Sequence, residues 1–165
     1  MKVKKWLLGL VTFTAMVVIC AVCAGAETYG DFEYSVRDDG TVEITDYNGN
    51  AKTVDIPETI DGKSATRIGD SAFEWCSNIE SIAIPDSVTS IGRRAFGDCA
   101  NLTNITIPNS VIEIGWHAFY DCASLKSITI PDSVINIGGC AFNNCTSLTS
   151  VTIPDSVTSI EYSAF

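Results

Sequence analysis

Residues 99–122 read CANLTNITIPNSVIEIGWHAFYDC and hold one complete copy of a pattern that recurs every 23 residues. Three residue types mark this period independently. The marks are Phe73, Phe96, Phe119, Phe142 and Phe165, then Pro85, Pro108, Pro131 and Pro154, then Cys76, Cys99, Cys122 and Cys145. A fixed period of about 20–50 residues is typical of a solenoid, in which each repeat packs only on its neighbours. The sequence therefore predicts a repeat solenoid.

The first half of each repeat predicts a β-strand. Leu102, Ile105 and Ile107 have the L-x-x-L-x-L spacing of a leucine-rich repeat strand, and β-branched residues favour its pleated surface. Pro108 should end the strand, because proline has no N–H to donate and holds its predecessor extended. Asn109-Ser110 then supplies turn residues.

The second half of each repeat predicts a second apolar wall and a bend. Val111 and Ile114 form a short apolar pair, expected opposite the strand. Ala118-Phe119 and Cys122 have the spacing of a single helical turn, with the phenylalanine ring filling the interior. We therefore expect a β-strand-rich leucine-rich repeat solenoid with short helical turns. It should span residues 53–165 as about four and a half repeats, the last one incomplete.

Residues 27–52 lie outside the repeat and predict a small β-hairpin. Phe32, Tyr34 and Val36 alternate with polar residues, and residues 38–40 provide turn chemistry before a second alternating segment. We expect this hairpin to form an N-terminal β cap, because the first repeat would otherwise expose its core. Extra residues around 61–65 lengthen the first repeat and predict a longer surface turn, with a functional loop as the alternative.

Residues 1–26 have the composition of a secretory signal peptide. Lys2, Lys4 and Lys5 precede an apolar run over residues 6–22, and Ala24-Gly25-Ala26 forms an A-x-A cleavage site. We expect a secreted or cell-surface protein cleaved near Ala26, with an uncleaved membrane anchor as the alternative. Residues 27–165 carry 20 acidic and 7 basic side chains, which disfavours nucleic acids and anionic membranes as partners.

The motif I-P-x-S-V-x-x-I-G-x-x-A-F-x-x-C occurs at residues 84–99, 107–122 and 130–145. With this motif the chain resembles the BspA-like leucine-rich repeats of bacterial and some protozoan surface proteins, over about residues 54–165. The resemblance implies an adhesin-like role in binding host matrix proteins such as fibronectin and fibrinogen, and in co-aggregation. It implies no catalytic motif. The chain ends in mid-repeat at Phe165, which departs from the family pattern.

The cysteines at one repeat phase should stack as a ladder of side chains that point in parallel. Buried free thiols are the favoured interpretation and disulfides the alternative, while Cys140, out of phase, should be the exposed thiol. A linear ladder cannot surround zinc tetrahedrally. Asp86, Asp132 and Asp155 also share a phase, but Asp-Ser after proline is better explained as a turn than as a calcium site. No cofactor or metal is expected.

The sequence contains no recognised catalytic motif, and His117, the single histidine, has no nucleophile tied to it. We therefore do not expect an enzyme. The larger variable side chains cluster near the predicted helical turn, and such groups are enriched at interfaces. The candidate partner-contact residues are Trp75, Arg93, Arg94, Trp116, His117, Tyr120 and Tyr162. The alternative is simple sequence variation at repeat positions that tolerate it.

Two functional hypotheses follow. The first is an exported, non-enzymatic protein that binds an extracellular protein or glycan of the host matrix or a neighbouring cell. The second is a structural spacer, or the N-terminal module of a longer cell-surface protein whose activity lies in a further C-terminal part. If the protein ends at Phe165, its uncapped C-terminal end would be expected to allow self-association.

Overall fold

A computed structural model describes residues 26–165, which form a β-solenoid of about five turns. This range contains 14 β-strands and no helix, so no helix there is long and apolar enough to cross a membrane. Apart from Ala26, the predicted signal peptide lies outside the described residues. The predicted leucine-rich repeat solenoid is confirmed, and its predicted helical turns are not present.

The N-terminal cap is a three-stranded antiparallel unit: β1 (Glu27–Tyr29), β2 (Phe32–Val36) and β3 (Val42–Tyr47). The predicted hairpin is therefore confirmed. Strand β3 pairs in parallel with β6 (Lys63–Ile68), which joins the cap to the repeats. The Tyr47 ring also stacks on Phe73 at 5.3 Å between centroids. The cap thus closes the first end of the core with an aromatic ring as well as a strand.

The lengthened first repeat contains β4 (Thr53–Asp55) and β5 (Thr59–Ile60). Strand β5 pairs antiparallel with β6 through a turn at Asp61-Gly62, where both residues have positive φ. The extra residues predicted as a surface turn thus form a small hairpin.

Each later repeat, which we call a rung, contributes two short strands at fixed positions. The first set is β7 (Ser81–Ala83), β9 (Asn104–Thr106), β11 (Ser127–Thr129) and β13 (Ser150–Thr152). The second set is β8 (Ser90–Ile91), β10 (Glu113–Ile114), β12 (Asn136–Ile137) and β14 (Ser159–Ile160).

The two sets build two walls of parallel strands. The first set forms the split-sheet wall, because β4, β7 and β9 make one sheet and β11 and β13 make another. The second set forms the long-sheet wall, which continues through β6 into the cap strands. Strand partners are 23 residues apart, as in the pairing of Ile114 with Ile137, so equivalent side chains stack in columns.

The core contains a continuous column of phenylalanine rings. Successive centroids from Phe73 to Phe165 are 5.2–5.3 Å apart. Phe73, Phe96 and Phe119 are fully buried, and the last ring, Phe165, is 48% exposed. This column explains why phenylalanine recurs at one phase: each ring covers the one below it.

The third segment of each rung connects the long-sheet wall to the first strand of the next rung. Together these segments form what we call the turn wall, residues 70–76, 93–99, 116–122, 139–145 and 162–165. Its chain direction changes through hydrogen-bonded turns, such as Ala118 N–H to the Gly115 carbonyl at 3.2 Å. His117 and Asp121 both have a φ of 56°, a left-handed conformation that an α-helix excludes. Phe119 N–H instead bonds to Ala141 in the next rung, at 2.8 Å. The helical turn predicted here is therefore wrong, because every second amide of the segment, including those of His117, Phe119 and Asp121, hydrogen-bonds to the next rung.

Candidate functional site

The structure brings all seven candidate contact residues to the turn wall. Arg93, Trp116 and Tyr162 occupy one column, and Arg94 and His117 occupy the next. Backbone hydrogen bonds hold these columns in register, since Arg94 N–H bonds to the Trp116 carbonyl at 2.9 Å. The split-sheet wall, in contrast, presents only small Ser, Asn, Ala and Thr side chains to solvent at its central strands.

Trp116 and Tyr162 form an exposed aromatic pair, although two rungs separate them. Their ring centroids are 5.5 Å apart at an interplanar angle of 89°, an edge-to-face contact. Gly139, between them in the column, makes this contact possible: a Cβ there would lie 3.1 Å from Tyr162 Cε1. Trp116 is 44% and Tyr162 61% exposed, so the pair offers a rigid apolar surface to a partner.

Arg94 is the centre of a neutralised charge cluster. Its Nη1 donates to Glu74 Oε1 at 2.6 Å and to Asp98 Oδ2 at 3.3 Å, and its guanidinium lies 5.4 Å from the Tyr120 ring centroid. Burial alone would raise the pKa of Glu74, but hydrogen bonds from Ser71 and Arg94 outweigh it and lower that pKa. Arg94 and Tyr120 therefore contribute to the stability of the turn wall, because their polar and aromatic groups already have partners within it.

His117 packs against Tyr120, with 5.4 Å between ring centroids. Its Nδ1 is buried and has no hydrogen-bond partner within residues 26–165. Burial, then the positive charges of Arg94 and Arg93, lower the pKa of His117 below its ordinary value. The imidazole is thus held neutral at physiological pH.

Trp75 is the most exposed of the aromatic candidates, at 69%. Its φ is 66°, which is unusual for a bulky residue, and its N–H bonds to the Gly97 carbonyl at 3.0 Å. The same position in later rungs holds Asp98, Asp121 and Asn144, residue types that tolerate this conformation.

The cysteine ladder lies inside the solenoid. Three thiols each donate to a phenylalanine carbonyl of the preceding rung. The pairs are Cys99 with Phe73, Cys122 with Phe96 and Cys145 with Phe119, each at 3.1 Å. All five cysteines of the described range are free thiols; Cys76 and Cys140 are half-buried. Burial raises the pKa of Cys76 to about 11 and that of Cys99 to about 12, so these thiols are poor nucleophiles.

Residues 26–165 hold no group of three or more His, Cys, Asp or Glu side chains arranged to bind a metal ion. Sequence reasoning missed the acidic column of Asp98 and Asp121 beside Trp75. Its signal was present, because these three residues are separated by 23 positions each.

The stacked parallel strands, the L-x-x-L-x-L cores and the turn wall define a leucine-rich repeat protein. More narrowly, the chain belongs to the family described as BspA type leucine rich repeat region, whose sequence model matches six copies over residues 66–165. No curated protein matches the chain.

Several solved bacterial structures are similar to it. A leucine rich repeat protein from T. pallidum is 35% identical with a TM-score of 0.77, over 81% of this chain and 63% of that one. A leucine rich cell surface protein from Faecalibacterium prausnitzii is 32% identical with a TM-score of 0.70, over 87% and 46% respectively. A leucine-rich repeat protein from Bacteroides capillosus is 34% identical with a TM-score of 0.69, over 76% and 96%. The chain thus spans less than two thirds of the first two.

Proposed function

We propose that this chain is an exported, non-enzymatic protein that presents its turn wall to a protein or glycan outside the cell. The observation that carries the proposal is the concentration of exposed aromatic side chains on that one wall. Trp75, Trp116 and Tyr162 are all exposed there, and aromatic residues are enriched in the energetically important parts of interfaces. A single exposed ring would need no explanation, but three on one wall favour a binding surface.

Export and a surface location are supported by two further observations. Residues 1–26 have signal-peptide composition, and one similar solved structure is a protein described as a leucine rich cell surface protein. An adhesin-like role in binding matrix proteins such as fibronectin and fibrinogen follows from the family resemblance.

The absence of catalysis is also part of the proposal. His117 is the chain's single histidine, and its Nδ1 has no hydrogen-bond partner among the described residues. The raised pKa values of Cys76 and Cys99 disfavour thiolate chemistry at neutral pH. Neither Cys76 nor Cys99 is therefore an activated nucleophile.

The test is binding of the purified chain, at micromolar concentration, to immobilised fibronectin, fibrinogen and mucin and to neighbouring bacterial cells. Replacing Trp116 and Tyr162 together by serine should weaken the observed binding by about tenfold or more, because both exposed rings are lost. The matched control is Ile135→Ser, since Ile135 is 49% exposed but lies on the long-sheet wall. Binding to none of these surfaces, or an equal loss in the control, would contradict the proposal.

A second candidate is a structural spacer or N-terminal module of a longer surface protein. The regular 23-residue stacking favours it, and the chain spans only 63% and 46% of two similar solved chains. In that case the Trp116 and Tyr162 variants would leave adhesion of the complete surface protein unchanged.

A further inference from the structure

Trp75 occupies a position where packing does not account for a tryptophan. Trp75, Asp98, Asp121 and Asn144 are equivalent residues with φ between 56° and 66°. Asp and Asn adopt this left-handed conformation readily, whereas a bulky side chain there is an outlier. The Trp75 ring also makes no aromatic contact within residues 26–165, where the rings of Trp116 and Tyr162 contact each other. A strained, exposed tryptophan points to a contact outside the chain.

The neighbours of Trp75 in this column are carboxylates. Backbone hydrogen bonds fix the order of the column: Trp75 N–H to Gly97, Asp98 N–H to Tyr120 and Asp121 N–H to Asn143, at 2.7–3.0 Å. Asp98 is engaged by Arg94 at 3.3 Å, whereas Asp121 forms no ion pair among the described residues. Burial raises the pKa of Asp98, and the negative charge of Asp121 adds to the rise. Asp121 is therefore the carboxylate of this column that has no cationic partner within residues 26–165.

We propose that the column of Trp75, Asp98 and Asp121 binds a basic, extended protein segment. One Lys or Arg side chain lies over the Trp75 ring and a second contacts the Asp121 carboxylate. Tryptophan gives the strongest cation–π contact of the aromatic residues. The proposal rests on the proposed function and names its partner class. It also agrees with the charge of residues 27–165, whose 20 acidic and 7 basic side chains attract basic partners.

Arg93 directs the basic segment to this column rather than to the Trp116–Tyr162 pair. Arg93 is exposed, shares the column of Trp116 and Tyr162, and forms none of the ion pairs within residues 26–165. Its positive charge repels a second cation there. In contrast, the positive charge of Arg94 is already neutralised by Glu74 and Asp98.

The rung spacing sets the spacing of the basic residues. Trp75 and Asp121 are two rungs apart, and the phenylalanine rings advance 5.3 and 5.2 Å over the corresponding rungs. Two rungs therefore cover about 10 Å, which three residues of an extended polyproline II segment span at about 3.1 Å each, with the side chains of residues i and i+3 on one face. The segment should carry Lys or Arg at positions i and i+3.

The experiment uses the purified full chain and synthetic Gly/Ser peptides carrying two lysines. Lysines at i and i+3 are compared with adjacent lysines and with a glutamate version, and Kd is measured calorimetrically at two salt concentrations. The variants are Trp75→Asn and Asp121→Asn; both keep the backbone, because Asn144 already occupies this conformation with a φ of 62°. Asp155→Asn is the matched control, since it removes the same charge at a turn outside the turn wall.

We expect each of the two variants to weaken binding of the i, i+3 peptide by about fivefold or more, and the control by less than about twofold. Equal affinity of Trp75→Asn and the unmodified chain, or equal effects of Asp121→Asn and Asp155→Asn, would overturn the inference. So would binding of an oligosaccharide with no binding of the peptide. If the chain binds matrix or cells through Trp116 and Tyr162 but not the peptide, the inference fails and the proposed function stands. If it binds the peptide but no matrix or cell surface, the proposed function fails instead.

Discussion

At the scale of single residues, His117 couples the turn wall to pH. Burial and the charges of Arg94 and Arg93 all oppose its protonation in the folded chain. Its pKa is therefore lower when folded than in the unfolded chain, where the ordinary value is about 6.5. Between the two values the unfolded chain binds more protons than the folded chain. The folded state then loses stability as pH falls below about 6.5.

The substitution His117→Asn tests this coupling. Asparagine tolerates the φ of 56° at this position and does not titrate. We expect the urea midpoint of the unmodified chain to fall more between about pH 7.5 and pH 5 than that of the variant. Both proteins contain the same carboxyl groups, so the difference between their urea midpoints reports the contribution of His117 alone. Equal falls in both would mean that His117 is not linked to folding.

At the scale of elements, the largest predicted loss of stability follows removal of a ring from the phenylalanine column. Phe119 is fully buried and stacks at 5.2 Å on both Phe96 and Phe142. Phe119→Ala should lower the free energy of unfolding by about 3–5 kcal/mol, because it removes a buried ring and leaves a cavity.

Phe165→Ala is the matched control within the same column. Phe165 is 48% exposed and stacks on Phe142 alone, so its loss should cost less than half as much. Denaturant unfolding of both variants measures the difference. Equal costs would show that the column does not act by burial and stacking.

Most of these elements, but not all, can be predicted from the sequence alone. The 23-residue period predicts the rungs, the L-x-x-L-x-L strands and the stacked phenylalanines, and alternation at residues 32–36 predicts the cap hairpin. The helical turn was wrong because its i, i+3 apolar spacing also suits consecutive turns. The sequence does distinguish consecutive turns from a helix at Asp98, Asp121 and Asn144. Asp and Asn favour left-handed turn positions and disfavour helix interiors.

At the scale of the whole molecule, repeat phase alone suffices to assign candidate residues to columns. It does not reveal which of them remain free to bind. Arg93 and Arg94 are adjacent in sequence, yet only Arg94 is neutralised, by Glu74 from the preceding rung and by Asp98. The contact of Trp116 with Tyr162 depends on Gly139, a cross-rung packing detail that a 23-residue period does not contain.

The last rung exposes apolar side chains whose equivalents are buried in the preceding rung. Ile153 and Ile160 are 42% and 47% exposed, whereas the equivalent Ile130 and Ile137 of the preceding rung are buried. Beside them an open groove of about 440 Å³ is lined by Phe142, Cys145, Leu148, Val151 and Phe165, among others. Strands β13 and β14 also end their sheets, so they offer unpaired backbone groups. Exposed apolar edges of this kind pair with other chains.

We therefore propose that a purified polypeptide of residues 27–165 self-associates through this rung. Sedimentation velocity should show a concentration-dependent shift, and Ile160→Lys should reduce it, because an edge lysine must be desolvated when strands pair. Ile112→Lys is the control, since Ile112 is 48% exposed on the long-sheet wall away from the last rung. A monomer at every concentration, or equal effects of both variants, would contradict the prediction. A larger effect of Ile160→Lys would place the contact at the end of the solenoid, which leaves the turn wall of each copy free for its partner.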